Sequence, residues 1–247
     1  MEHVSIRSFM MSCWIVVISL AWAIAVAGQE KPSGDAELDQ INAMIGQAWQ
    51  ESDQFIRAGG KEGDPANPLR KWSAILWQYR EQHSGSPAAA RATSESVHFL
   101  VHSAQPDEAI ARADTVKIDD PAWKSLIGVL LEASIAKGDY VSFFGKANFL
   151  LEHSADREVK VRAQFDLARA YWKKEELARS KAAFQKVIAE YPDTPYAKDA
   201  EGNIHEIEFL NIGQPVPLFA RKSSTGEPIS IADFKGKVVL LYFWASW

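Results

Sequence analysis

The sequence is poor in cysteine and has no excess of positive charge. Only one cysteine, Cys13, occurs among the 247 residues, so a framework of disulfide bonds within this chain is excluded. The 27 Lys and Arg residues face 32 Asp and Glu residues, which gives a net charge of −5. No basic cluster offers the electrostatic surface that nucleic-acid binding requires. We therefore expect no nucleic-acid partner.

Motifs for nucleotide binding and for serine hydrolases are also missing. Gly59-Gly60-Lys61 lacks the remainder of a phosphate-binding loop, and no serine stands in a nucleophile elbow. The sequence therefore predicts no cofactor.

Two histidines do have the spacing of metal ligands. His98 and His102 stand at positions i and i+4 of a predicted helix, and Glu95 lies one turn earlier. No glutamate follows the first histidine, however, and the sequence shows no third ligand. We interpret the pair as part of a solvated helix face and predict no metal site.

The first 27 residues have the organisation of an export signal. Arg7 and the α-amino group supply positive charge, residues 9–25 are apolar apart from two serines, and Ala25-Val26-Ala27 forms a small-X-small cleavage site. Cleavage after Ala27 would remove Cys13, and we predict a protein of the periplasm or cell envelope. An uncleaved membrane anchor is the alternative, because the apolar run is close to the ~17–25 residues that can span a bilayer.

Residues 28–211 are predicted to form an α-helical domain. Helical periodicity is interrupted at short stretches rich in Gly, Pro, Ser and Asp, which are typical of helix ends and turns. The predicted helices cover residues 36–57, 68–82, 87–103, 107–114, 121–137, 140–153, 158–173, 176–190 and 195–208. Large aromatic residues within amphipathic runs are typical of a core. We expect this of Trp72, Trp77, Trp123 and Trp172.

One pair of these helices carries a spaced pattern of small and large residues. The pattern consists of Leu167, Ala168, Tyr171, Phe184 and Pro192, with Ser180 and Val187 between them. The spacing resembles that of a tetratricopeptide repeat, which prefers alanine at the positions of Ser180 and Val187. Gln164 replaces the first large residue of the repeat. Because about three stacked repeats are needed for a continuous core, we expect degenerate repeats upstream. Such arrays often dock a protein partner; a helical packing domain without a ligand is the alternative.

Residues 212–247 carry motifs that differ from those of the helical region. Residues 212–219 read Ile-Gly-Gln-Pro-Val-Pro-Leu-Phe, and residues 226–231 read Gly-Glu-Pro-Ile-Ser-Ile. The first is similar to the opening motif of the redoxin family, and the second resembles the short hairpin of that family. A Lys-Gly-Lys then precedes the apolar run 238–243, which predicts a strand buried on both faces. The run ends in an active-site flank that resembles the TlpA-like branch of the thioredoxin-fold redoxins (AhpC/TSA superfamily). This flank consists of Phe243, Trp244, Ala245, Ser246 and Trp247.

The resemblance implies a thiol–disulfide oxidoreductase whose Cys-X-X-Cys follows Trp247 directly. A cysteine at a helix N-terminus has its thiol pKa depressed and becomes a nucleophile. Because the dithiol is missing from this chain, no catalytic residue is assigned within it. The resemblance implies a protein disulfide substrate and a redox partner. A peroxiredoxin-like antioxidant is an alternative, although Trp244 and Trp247 stand where that branch has a Pro and a Thr-X-X-Cys pattern.

The predicted fold class is an α-helical repeat (TPR-like) domain followed by the first strands of an α/β thioredoxin-like fold. The predicted divisions are a signal peptide over 1–27, the helical domain over 28–211 and a redoxin fragment over 212–247. We expect the membrane to be contacted only through the signal or anchor segment. We also expect the reading frame to continue into the dithiol. The alternative is a non-catalytic helical-repeat binding module of the cell envelope with a vestigial tail.

Overall fold

Some of the helices begin at a residue whose side chain caps the first turn. The computed structural model describes residues 34–210 and 212–242. Within these residues, Asn67 Oδ1 accepts a hydrogen bond from Leu69 N at 3.0 Å, and Ser86 Oγ accepts one from Ala89 N at 3.0 Å. A proline follows each cap, at the first position of the helix, where a backbone N–H would have no acceptor within the helix. These two starts are therefore fixed locally by sequence.

The described residues form nine α-helices and are mostly helical. The helices are α1 (Gly34–Arg57), α2 (Pro68–Gln82), α3 (Pro87–His102), α4 (Pro106–Asp114), α5 (Trp123–Lys137), α6 (Val141–His153), α7 (Arg157–Lys173), α8 (Leu177–Glu190) and α9 (Pro195–His205). A π-helical turn, Glu206–Leu210, continues α9. Each helix matches one predicted from the sequence, with ends that differ by at most three residues. The helical part of the predicted fold class is confirmed.

The helices enclose three successive apolar cores among the described residues. The first lies between α1, α2 and α3 and includes Leu76 and Phe99. The second is built from α3 to α7 around Trp123, and the third lies between α7, α8 and α9 around Phe184. Helices α3 and α7 each contribute to two cores. The helical region is therefore one continuous packing in which α3 and α7 join neighbouring cores.

The four tryptophans predicted to be core residues all lie against these cores. Trp72 and Trp123 are buried in the first and second cores. Trp77 and Trp172 are half-buried and pack against the second and third cores. Burial of large aromatic rings supplies much of the apolar area removed from water.

Residues 212–242 contain a small antiparallel sheet of two strands. The strands β1 (Ala220–Lys222) and β2 (Pro228–Ser230) pair with Arg221 opposite Ile229. Their connection contains Gly226 at φ +87°, a conformation that favours glycine. A 3-10 turn, Ile231–Phe234, follows β2. The hairpin expected from the sequence is therefore present.

The predicted strand over residues 238–243 is not formed in its described part, residues 238–242. No other described segment pairs with this stretch, and Val238 and Leu240 are 103% and 89% exposed. A strand needs a neighbour to satisfy its N–H and C=O groups and a layer to cover its apolar face. The prediction of a buried strand was wrong here because the described residues provide neither.

Candidate functional site

The candidate redox flank lies at the edge of the described structure. Phe243, Trp244, Ala245, Ser246 and Trp247 lie outside the described residues, as does the predicted signal peptide over 1–27. The hairpin that leads towards the flank is extended by a hydrogen bond from Ile231 N to Phe219 O at 3.1 Å. Ser230 N donates to Asp233 Oδ2 at 2.9 Å and so closes the turn after β2. The described residues thus include the approach to the candidate site.

Apolar side chains line this approach and are exposed. Leu218 is 83% exposed, and Tyr242, at the end of the described segment, is 81% exposed. Large apolar groups that form a contiguous exposed surface usually mark a site of association. These apolar side chains are therefore left uncovered by the other described residues.

The residues matched to a tetratricopeptide repeat lie together in the α7–α8 pair. Leu167, Ala168, Ser180, Phe184 and Val187 are buried, Tyr171 is half-buried and Pro192 is exposed in the turn after α8. Ser180 Oγ donates to Ala168 O at 2.9 Å across the two helices. Gln164, the departure from the repeat pattern, donates from Nε2 to Ala183 O at 3.3 Å. Polar residues at these two positions therefore join α7 to α8 through hydrogen bonds.

A buried carboxylate on α7 holds two arginines. Asp166 is fully buried and accepts hydrogen bonds from Arg162 Nε at 2.6 Å and Arg169 Nη1 at 2.8 Å. The opposing residue on α5 is Gly128, where a Cβ would lie 2.3 Å from Arg162 Nη2. The absence of a side chain at Gly128 therefore allows this ion-paired cluster to lie against α5.

A cleft of about 770 Å³ opens beside the α7–α8 turn. Its lining combines apolar groups with charges of both signs: Trp172 and Leu177, Arg169 and Lys173, and Glu175 and Glu206. Helical arrays commonly bind partners on such mixed surfaces. The cleft is a recess at the repeat-like pair with room for a protein segment.

A cluster of potential metal ligands joins α3 to α5. His98 Nε2 lies 3.0 Å from His102 Nε2 and 3.4 Å from Glu132 Oε2. The other ring nitrogen of His98, Nδ1, lies 3.3 Å from Glu95 Oε2. Trp49 of α1 packs edge-on against both imidazoles, at ring-centre distances of 5.7 and 5.0 Å. Two imidazoles and one carboxylate thus converge on a single point.

The charges of this cluster are coupled. Burial opposes a charge on His98, but hydrogen bonds to Glu132 and Glu95 outweigh it and raise its pKa to about 9. Burial and the neighbouring His98 charge lower the pKa of His102. The hydrogen bond from His98 lowers the pKa of Glu132. Charged His98 therefore carries a proton on each ring nitrogen: Nδ1–H donates to Glu95, and Nε2–H lies between Glu132 and the neutral His102, which can accept from it.

Sequence reasoning found His98, His102 and Glu95 and missed Glu132 and Trp49. The spacing of His98 and His102 was a visible signal, but Glu132 and Trp49 come from separate helices. A weak signal for Glu132 existed, since it is a charged residue inside the strongly apolar run of α5. The interpretation of the histidines as a solvated face was wrong for His98, whose side chain is 26% exposed.

Comparison with protein-family models, with curated proteins and with solved structures finds no significant match to this chain. Among the helices of the described residues, none has the length and apolarity needed to cross a membrane.

Proposed function

We propose that this chain is part of an exported thiol–disulfide oxidoreductase of the TlpA-like/redoxin type, with a helical, repeat-like domain as its docking scaffold. The proposal rests on the resemblance of residues 212–247 and on the order of elements within them. A hairpin, a turn and an apolar extended stretch follow one another in the order that the resemblance implies. The proposed domain boundary lies near residue 211.

One observation carries the proposal. The apolar stretch 238–242 is exposed, although the helical region beside it in sequence has three well-filled cores. An unpaired apolar stretch is an aggregation hazard that folded proteins avoid by pairing or covering it. The stretch is therefore best explained as one strand of a sheet that further residues complete, as in a thioredoxin-like fold.

The proposed chemistry uses a dithiol immediately after Trp247. The first cysteine, at a helix N-terminus, would attack a substrate disulfide as a thiolate and release one substrate thiol. The second cysteine would attack the mixed disulfide, release the other substrate thiol and leave an oxidised enzyme. A redox partner would then return two electrons to restore the dithiol. The only cysteine of the chain, Cys13, lies in the predicted signal and has no part in this reaction.

A second candidate function is a non-catalytic binding module of the cell envelope. The cleft beside the α7–α8 turn favours it, because its lining of Trp172, Leu177 and charged groups of both signs suits a protein segment with apolar and polar groups. In this alternative the helical region binds the partner and residues 212–247 take no part in chemistry. The oxidoreductase requires a gene product with a cysteine pair after Trp247, whereas the binding module requires none.

The test is an insulin-reduction assay on the complete product of the reading frame, without its signal. We expect turnover that disappears when either expected cysteine is changed to serine, and a stable mixed disulfide when only the second is changed. The chain ending at Trp247 serves as a control and should be inactive. A complete product without thiol-dependent turnover would contradict the oxidoreductase and favour the binding module.

A further inference from the structure

The cluster between α3 and α5 has the dimensions of a metal site. One ligand atom from each of His98, His102 and Glu132 lies within 4.8 Å of the other two. His98 Nε2 is 3.0 Å from His102 Nε2 and 3.4 Å from Glu132 Oε2. Ligand atoms around tetrahedral zinc, at about 2.0–2.2 Å from the ion, are separated by about 3.3–3.5 Å. An ion therefore fits between these three atoms with only small side-chain adjustments.

The surroundings orient the ligands. Glu95 accepts from the ring nitrogen of His98 that faces away from the cluster, which is the carboxylate–histidine–metal arrangement that fixes a ligating imidazole. Arg91 in turn holds Glu95, with Nη1 to Oε1 at 3.1 Å. The Glu95 side chain is only 11% exposed, so this support is shielded from solvent. Trp49 restricts both rings from the side of α1.

We propose that His98, His102 and Glu132 form a binding site for a divalent cation of the zinc class, with Glu95 as a positioning residue. Imidazole and carboxylate ligands suit zinc and its transition-metal neighbours. Calcium and magnesium require six or more oxygen ligands, which this cluster does not offer. His102 and Glu132 are exposed, so water or an added ligand can occupy the fourth position.

The site also has a structural consequence. His98 and His102 belong to α3, which contributes to the first and second cores, whereas Glu132 belongs to α5 at the centre of the second core. A bound ion would join these two helices directly. Because a ligand that binds only the folded state stabilises it, the thermal midpoint should rise with zinc concentration.

The experiment is a titration of the signal-free protein, without an affinity tag, with Zn²⁺ and with Co²⁺ after treatment with a chelator. We expect one equivalent of each metal to bind, and the Co²⁺ complex to show the intense visible absorption of tetrahedral coordination. The ligand variants His102→Ala and Glu132→Gln should lose the tetrahedral Co²⁺ spectrum and the zinc-dependent rise in thermal midpoint. Glu95→Gln should weaken binding by roughly 10–100-fold, the usual effect of removing such a partner.

The matched control is His153→Ala, which removes a surface histidine of α6 outside the cluster. It should bind both metals like the parent. Far-UV circular dichroism of each metal-free variant separates loss of the site from loss of the fold, and His102 and Glu132 are exposed enough for their variants to fold. The proposal would be overturned if the folded parent bound neither metal or if its Co²⁺ complex had an octahedral spectrum. It would also be overturned if His153→Ala lost as much metal binding as His102→Ala. None of these readouts depends on thiols, so they are independent of the oxidoreductase proposal.

Discussion

Replacement of Asp166 by asparagine should destabilise the helical region strongly. The side chain of Asp166 is fully buried and receives charged hydrogen bonds from Arg162 and Arg169. Asparagine has nearly the same shape but carries no charge, and its amide nitrogen cannot accept from a guanidinium. The substitution therefore removes the ion pairs without creating a cavity.

The magnitude follows from the burial of the three groups. Breaking a fully buried ion pair costs about 3–5 kcal/mol. Here the two arginine side chains are 28% and 37% exposed, so water can partly solvate them after the substitution. We therefore expect a loss of about 2–3 kcal/mol, which for a chain of this size lowers the thermal midpoint by about 4–12 °C.

Urea unfolding followed by circular dichroism measures this loss. The matched control is Asp193→Asn, which breaks an exposed pair with Arg157 whose side chains are 68% and 55% exposed. Solvent screens such a pair, so the control should unfold close to the parent. An Asp166→Asn variant that is no less stable than Asp193→Asn would show that the buried ion pairs do not stabilise the helical region.

Three further predictions concern other parts of the helical region. Phe184→Ala should destabilise it by about 3–5 kcal/mol in urea unfolding, because it empties the third core; a loss near zero would contradict that core. Asp156→Ala should cost about 1 kcal/mol at neutral pH, because Asp156 Oδ1 accepts from Glu158 N at 2.7 Å and caps α7. Although burial opposes its charge, the capping hydrogen bonds and Lys124 lower the pKa of Asp156. The charged carboxylate therefore stabilises the folded protein at pH values above the usual pKa of an aspartate. The difference in free energy of unfolding between Asp156→Ala and the parent should therefore become smaller as the pH falls through the pKa that Asp156 has in the folded state. A stability difference that does not change with pH would contradict this prediction. Finally, a chain of residues 28–211 should unfold at the same midpoint as residues 28–247, because the cores need no later residue; a lower midpoint would place part of the core beyond residue 211.

The helices could be predicted because their ends are encoded by neighbouring residues. Asn67 and Ser86 cap helices that begin with proline, and Gly138 adopts φ +73° where α5 ends. Such signals act over a few residues, so they can be recognised without knowledge of the tertiary packing. This is why each predicted helix is found with only small errors at its ends.

The cation site could not be predicted, because its ligands are brought together by packing. Glu132 follows His102 by thirty positions in the sequence. Helix α5 is apolar around much of its circumference, so periodicity does not indicate which face meets α3. Only the observed contact between α3 and α5 brings the carboxylate to the imidazoles.

The stretch 238–242 shows that a local apolar pattern alone does not produce a strand. Its apolar sequence is typical of a buried strand, but pairing requires a neighbouring strand. The two strands of the described sheet pair with each other and not with this stretch. The apolar pattern therefore indicates that this stretch needs a neighbouring strand, but the described residues do not provide one.

We propose that residues 212–247 begin a redoxin domain, and the nucleotide sequence that follows the codon for Trp247 in the gene tests this proposal most directly. We predict that the frame continues into a Cys-X-X-Cys within a few codons. A stop codon, or a continuation without a cysteine pair, would contradict the claim.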